Sequence, residues 1–228
     1  MSHTAPSSLW MFGFFVALFV GIIVWSILYA KKRAQELAAA AQQIGFTFMG
    51  DTWHGPVLNP QFKTCLLQRT RGRFNNVMVG MSGNLQTVVF DYRYQAGKSS
   101  ITQTMVCFSH NVQLPPFTLH PEGIFDRLSD AIVHNDIDFD SHPTFSRRYA
   151  LKSPDEANTR RLFTPAVLSY MEQVFLEMKW NIETSAINLF VYRAGRTVSP
   201  ADLPTFLQQA SSVATALLNS DGLKNSVA

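Results

Sequence analysis

The chain has 228 residues, a formal net charge of +3 and two cysteines. So small a positive charge argues against nucleic acid as a partner, because binding to phosphates requires a strongly basic surface. The two cysteines, Cys65 and Cys107, suit a reducing cytoplasm as free thiols, although in an oxidising compartment they could pair.

The first informative feature is an uncharged, apolar stretch that spans residues 9–30. About 20 apolar residues in a helix cross a hydrocarbon core of about 30 Å, so the stretch predicts a transmembrane helix. Trp10 lies at one end and Trp25 and Tyr29 lie near the other, where interfacial aromatic residues are expected. The lipid bilayer is therefore the first predicted partner.

Charge on the two flanks predicts the orientation of this helix. The leader, residues 1–8, has no Lys or Arg, whereas Lys31, Lys32 and Arg33 follow the apolar stretch directly. Positive flanks stay in the cytoplasm, so we expect the N-terminus outside and residues 31–228 inside. A cleaved signal peptide is the rival interpretation, but it requires a basic leader and a shorter apolar core.

Helix-forming residues continue after the membrane segment and predict a stalk helix over residues 31–45. Ala34, Leu37, Ala41 and Ile44 recur at heptad-like spacing. This stripe would either form a homo-oligomer through the stalk or pack on the domain that follows. The domain itself is predicted over residues 46–218, with a flexible tail over 219–228.

Short apolar runs separated by glycine-containing turns predict an antiparallel sheet in the first half of the domain. The candidate strands cover residues 64–70, 76–81, 85–95 and 99–109.

The second half alternates between helix and strand signals. It predicts helices at 124–132 and 155–163, a helix that opens at Thr164-Pro165, and a last helix after Asp202; strands are expected at 136–139 and 145–151, with a hairpin at 180–192. The fold class is therefore α+β, with an antiparallel sheet packed against about three to four helices.

Two charged stretches are candidate binding sites. Arg69, Arg71 and Arg73 alternate along a predicted strand, and Lys98 lies in a predicted turn. They would contact phosphate groups of anionic lipid headgroups, or would form a solvated surface that pairs with acidic segments elsewhere.

The second stretch is acidic. In an extended strand Asp136, Asp138, Asp140 and His142 would share one face, and carboxylates with an imidazole can bind a divalent metal. Side chains two apart on a strand lie about 6–7 Å apart, which is wide for one ion, so a solvated or arginine-paired face is the alternative.

Nucleophile signals are incomplete. Residues 80–84, Gly-Met-Ser-Gly-Asn, depart from the hydrolase elbow and are better explained as a hairpin turn. Cys107 and His110 are three apart in a predicted strand and therefore lie on opposite faces. The sequence contains no Walker loop, dinucleotide motif or zinc pattern, so we expect no cofactor. The absence of these motifs favours a non-catalytic role over an enzyme.

Several segments, together with the apolar helix and its basic flank, form a familiar combination: residues 89–94, 114–122, 136–139, 142–143, 145–146 and 160–163. This combination resembles a group of uncharacterised bacterial single-span membrane proteins with a cytoplasmic domain of unknown function. The resemblance covers most of residues 30–218 and implies a bacterial origin, and therefore a bacterial inner membrane for the apolar helix, but it implies no activity or site residues.

Three functions remain open. The first is a membrane-tethered, non-catalytic interaction or scaffold module whose partners are other membrane or membrane-associated proteins. The second is a peripheral domain that senses anionic phospholipids through the basic stretch. The third is a metal-dependent hydrolase centred on residues 136–142.

Overall fold

The computed structural model describes residues 7–51, 66–67, 72–122, 136–185 and 187–219. One helix, α1 (Ser7–Gln43), runs without a break through the apolar stretch and the predicted stalk. Among the helices in the described part of the chain, α1 is the one that is long and apolar enough to cross a membrane. Its most apolar window has a mean hydropathy of 2.6 and no buried residue.

Eight antiparallel strands form one sheet, in the order β1-β2-β3-β4-β8-β7-β5-β6. Their bounds are β1 Thr47–Gly50, β2 Arg73–Ser82, β3 Leu85–Ala96, β4 Ser99–Ser109, β5 Thr118–Pro121, β6 Tyr149–Lys152, β7 Asn181–Ser185 and β8 Asn188–Tyr192. The predicted hairpins β2–β3, β3–β4 and β7–β8 are all present.

Among the described residues, four further helices of six residues or more complete the α+β fold. They are α2 (Pro143–Arg148), α3 (Glu156–Leu162), α4 (Pro165–Met178) and α5 (Leu203–Leu218). Asp155 caps α3 by accepting a hydrogen bond from the backbone N–H of Asn158. Asp202 precedes α5 as expected, but its side chain does not cap the helix.

Each face of the sheet carries its own apolar cluster. On the face that we call the helix face, Val89, Val106 and Leu189 pack with residues of α1, α4 and α5. On the opposite face, Phe90 and Tyr192 pack with their aromatic and aliphatic neighbours. Strand residues alternate between the two faces, so the period-2 pattern of β3, β4 and β8 fills both clusters.

The last part of α1 belongs to the helix-face core. Leu37, Ala40 and Ala41 are buried there, and Ile44 packs against the same cluster. The stripe that suggested either an oligomer or docking on the domain therefore packs on the domain. Gly45 ends the helix with a left-handed φ of 74°, as its glycine permits.

Three local predictions are wrong. Leu66 and Leu67, inside the predicted 64–70 strand, are helical, and the rest of that stretch lies outside the described residues. Residues 136–139 are irregular, and their one described backbone bond to β6 joins Ile137 N–H to the carbonyl of Leu151. The predicted 145–151 strand is wrong over residues 145–148, which belong to α2, whereas residues 149–151 are extended in β6 as predicted. The helix predicted at 124–132 lies outside the described residues.

Candidate functional site: the junction of helix and sheet

A buried carboxylate joins α1 to the sheet. Asp91 lies on β3 with its side chain on the helix face, and that side chain is only 5% exposed. Its Oδ2 accepts hydrogen bonds from Arg33 Nη2 at 3.0 Å and from Asn76 Nδ2 at 2.9 Å. Its Oδ1 accepts from Thr104 Oγ1 at 2.6 Å. Both oxygens of Asp91 are thus satisfied, as a buried charge requires.

The same contacts extend to the loop that follows β8. Arg33 Nη2 also donates to the carbonyl oxygen of Val198 at 3.0 Å. The backbone N–H of Val198 in turn donates to Thr104 Oγ1 at 2.9 Å. Arg33 therefore contacts both β3 and this loop, and the helix cannot rotate without breaking bonds to both.

A bulge in β2 brings Asn76 into this network. The β2–β3 register shifts between Asn75 and Met78, and Asn76 adopts a left-handed φ of 51°. Asparagine tolerates this conformation better than most residues. Its backbone N–H donates to Asp51 Oδ1 at 2.9 Å, which fixes the bulge from the β1 side.

Two contacts show how α1 crosses the sheet. Where α1 first meets the domain, Arg33 bonds to Asp91. Just past the C-terminal end of α1, Phe46 lies against Gly80, where an added Cβ atom would come within 2.5 Å of the Phe46 ring. Gly80 pairs with Thr87 on β3. Moving along α1 from its C-terminal end towards its N-terminus therefore follows β3 from Thr87 towards Asp91. The same direction leads on to the β3–β4 turn. We call this end of the sheet, with Arg73, Arg93 and the β3–β4 turn, the proximal end, because α1 leaves the domain there.

The proximal end carries part of the predicted basic site. Arg73 opens β2, and Lys98 lies in the β3–β4 turn beside Gly97, whose φ is 61°. Both cations are exposed. Arg69 and Arg71 lie outside the described residues. The structure adds Arg93, which lies directly opposite Arg73 on the neighbouring strand.

The acidic stretch, residues 136–142, does not form the single strand face that the sequence predicted. Asp136 pairs with Lys152, with Oδ1 and Nζ 3.5 Å apart, and the backbone carbonyl of Asp138 accepts from Arg160 Nη1 at 2.7 Å. Asp140 is exposed. Across the described ranges, no group of three or more His, Cys, Asp or Glu side chains is placed to hold a metal ion.

His142 instead contacts two hydroxyl groups. Its Nδ1 lies 3.1 Å from Ser141 Oγ and its Nε2 lies 3.2 Å from Ser169 Oγ. A serine–histidine contact is part of a nucleophilic site, but here a hydroxyl takes the place of the carboxylate that orients the histidine. Ser169 is also exposed on α4, so the site lacks the desolvated setting that such chemistry uses.

Neither Cys107 nor His110 is activated. Cys107 is fully buried, and burial raises the pKa of its thiol, so the thiol stays protonated. Burial lowers the pKa of His110 to about 4, and its Nδ1 accepts a hydrogen bond from the Val112 N–H at 3.2 Å. Residues 80–84 cover the end of β2 and the β2–β3 turn, with Gly83 at a φ of 59°, as the hairpin interpretation predicted.

The predicted interfacial aromatic residues are highly exposed on α1. Trp10 is 81% and Trp25 70% exposed, and the Trp25 ring centroid lies 6.0 Å from that of Tyr29. Lys31 and Lys32 are exposed as well, with Lys32 Nζ 3.8 Å from Glu36 Oε1. Arg33, which the sequence grouped with them, uses its charge inside the junction.

An open groove of about 670 Å³ lies at the end of the sheet opposite the proximal end. It runs between the β2–β3 turn and α5 and is lined by Phe46, Met81, Ser82, Leu207 and Ser211, among others. Ser82 Oγ and Ser211 Oγ are 2.6 Å apart and join the turn to the helix.

Comparison with known proteins supports the fold. No family model matches the chain, and no curated protein matches it. The crystal structure of the mycobacterial trehalose monomycolate transport factor A, TtfA, is similar, with a TM-score of 0.59 and 12% sequence identity. The match covers 81% of this chain and 93% of that one. At this identity the likeness shows a shared fold, and the resemblance to uncharacterised single-span proteins stays a prediction.

Proposed function

We propose that the chain is a membrane-tethered, non-catalytic scaffold that holds its α+β domain at a fixed height and orientation on the bilayer. One observation carries the proposal: the helix that can span the membrane is also part of the domain core. Leu37 and Ala41 are buried in that core, and Arg33 is bonded to Asp91 and Val198. A tether that only kept a domain nearby would need no more than a flexible linker.

The rigid junction has a physical consequence for binding. A membrane anchor raises the effective concentration of the domain for partners in the same membrane. A rigid anchor also removes the orientations in which the domain's surfaces face away from such partners, which lowers the entropy cost of association. We therefore expect the partner to be a membrane or membrane-associated protein that contacts the domain at one height above the bilayer.

The fold comparison agrees with this class of function. TtfA is named as a transport factor, and we propose by analogy that this chain is an accessory factor of a membrane assembly. We place the domain in the cytoplasm of a bacterium, since the leader lacks Lys and Arg while Lys31 and Lys32 lie on the domain side of the apolar stretch.

The experiment separates rigid from flexible tethering. About twelve Gly and Ser residues are inserted between Ala30 and Lys31, which gives a flexible spacer of about 20 Å and leaves the buried part of α1 intact. The control appends the same residues after Ala228. Wild type and both variants are cross-linked in intact membranes, and the cross-linked membrane proteins are identified by mass spectrometry.

We expect the same cross-linked partner with wild type and with the appended control, and its loss with the inserted spacer. Membrane fractionation and thermal unfolding establish that all three chains are inserted and folded. The proposal is wrong if the spacer variant keeps the partner, because tethering alone would then suffice. It is equally wrong if no variant cross-links to a membrane protein.

A further inference from the structure

Two arginines face each other across the sheet at the proximal end. Arg73 on β2 is directly opposite Arg93 on β3, and both are exposed. Side chains at such positions start about 5 Å apart, and like charges directly opposite destabilise a sheet. Both lie on the helix face, because Arg93 follows Asp91 by two residues. The sheet therefore carries an unfavourable charge pair at the end where α1 leaves it.

No carboxylate in the described part of the chain neutralises this pair. None of the ion pairs found there includes Arg73, Arg93 or Lys98. Arg93 donates from Nε to Ser100 Oγ at 2.9 Å, which leaves its terminal nitrogens for another acceptor. The neighbouring carboxylate of Asp51 accepts from the backbone of Asn76, and that of Asp91 is enclosed by the junction.

The position of the Arg73–Arg93 pair indicates which anionic group neutralises it. α1 passes from the junction into its apolar stretch on the same side as Arg73, Arg93 and the β3–β4 turn. Lys31 and Lys32 mark the start of the headgroup region on α1, and the proximal end is the part of the domain that faces it. Phosphate groups of lipids accept hydrogen bonds from guanidinium groups in forked geometry.

We propose that Arg73, Arg93 and Lys98 bind the headgroups of anionic phospholipids in the bilayer that α1 spans. The site fixes the tilt of the domain as well as its height, because the junction holds one point of the sheet and the headgroups hold its end. It goes beyond the scaffold proposal, since it requires no protein partner. Each basic side chain near an anionic surface contributes about 1 kcal/mol, equivalent to about a fivefold change in the binding constant.

The test uses the full chain in nanodiscs of phosphatidylcholine alone or with about a third of phosphatidylglycerol, a fraction that gives the negative surface potential such sites need. Hydrogen–deuterium exchange is followed in peptides that cover residues 93–101. We expect slower exchange with phosphatidylglycerol at low salt, and loss of that protection at high salt, because the Debye length falls from about 10 Å at 0.1 M to about 3 Å at 1 M.

Matched variants locate the effect. Arg73→Gln with Arg93→Gln should abolish the lipid-dependent protection, whereas Arg147→Gln with Arg161→Gln, exposed positions on α2 and α3, should preserve it. Thermal unfolding in neutral detergent checks folding: removal of the facing charges should leave the unfolding temperature unchanged or raised. Equal exchange in the two lipids would overturn the proposal. Protection that survives the Arg73/Arg93 substitutions would overturn it too.

Discussion

At the scale of single residues, Asp91 is the position on which the junction depends. A carboxylate in the middle of an apolar strand is costly to bury, and the structure compensates it with one cation and two neutral donors. Such a pair adds little net stability compared with apolar residues of the same volume. Its contribution is specificity, because it favours the one position of α1 in which Arg33 reaches both β3 and Val198.

Asp91→Asn should destabilise the domain by about 3 kcal/mol, because the Arg33 charge loses its partner in a site where its side chain is 19% exposed. Denaturant unfolding of the full chain in detergent measures the change. Glu36→Gln is the matched control: it breaks an exposed i,i+4 contact with Lys32, and we expect a loss within about 0.5 kcal/mol. Equal effects of the two substitutions would contradict the role assigned to Asp91.

At the scale of elements, prediction from sequence worked where periodicity was long and the partner was near in sequence. The last helix, predicted after Asp202, is present as α5, and seven of its apolar residues, from Leu203 to Leu217, are buried at helical spacing. The strands β3 and β4 match the predicted runs because a tight turn joins them. The pairing of β4 with β8 was beyond such reasoning, since the two strands lie more than 75 residues apart.

The region around α2 shows why other predictions failed. Alternating Asp136, Asp138 and Asp140 imitate a strand, but one bond to β6 does not make a ladder. The sequence signal for α2 is Pro143 in the first turn of the helix. The six residues of α2 are too few to show a helical period. What settles the conformation is tertiary: Phe145 is fully buried, and its ring centroid lies 5.9 Å from that of Phe163.

The packing of β2 under the end of α1 gives a prediction at this scale. Gly80→Ala would place a methyl group within 2.5 Å of the buried Phe46 ring. The ring must shift in a packed core, so we expect a loss of about 1–3 kcal/mol. Met81→Ala, at the exposed neighbouring position, should change stability by less than about 0.5 kcal/mol. Chemical denaturation of both variants tests this, and an unaffected Gly80→Ala chain would show that Phe46 does not hold β2 in place.

At the scale of the whole molecule, the sequence singled out Arg33 and Arg73 but not the contacts that the fold gives them. Arg33 and Asp91 are 58 residues apart, and the sequence assigned Arg33 to the membrane surface rather than to a buried pair. Arg73 was a candidate through its neighbours in the chain, whereas the structure pairs it with Arg93 through the β2–β3 register. Both relations depend on strand pairing and on the path of α1, which local patterns do not encode.

The orientation of the whole chain is open to a direct test. Asn84→Cys places a thiol in the exposed β2–β3 turn, far from the proximal end, and Thr4→Cys places one in the leader. Because Lys31 and Lys32 disfavour translocation of the domain, we expect a membrane-impermeant maleimide to label Thr4→Cys in intact cells, and Asn84→Cys only after permeabilisation. The wild-type chain measures the background from its own two cysteines. Labelling of Asn84→Cys in intact cells would place the domain outside, and the charge asymmetry of the two flanks would then not set the orientation of this chain.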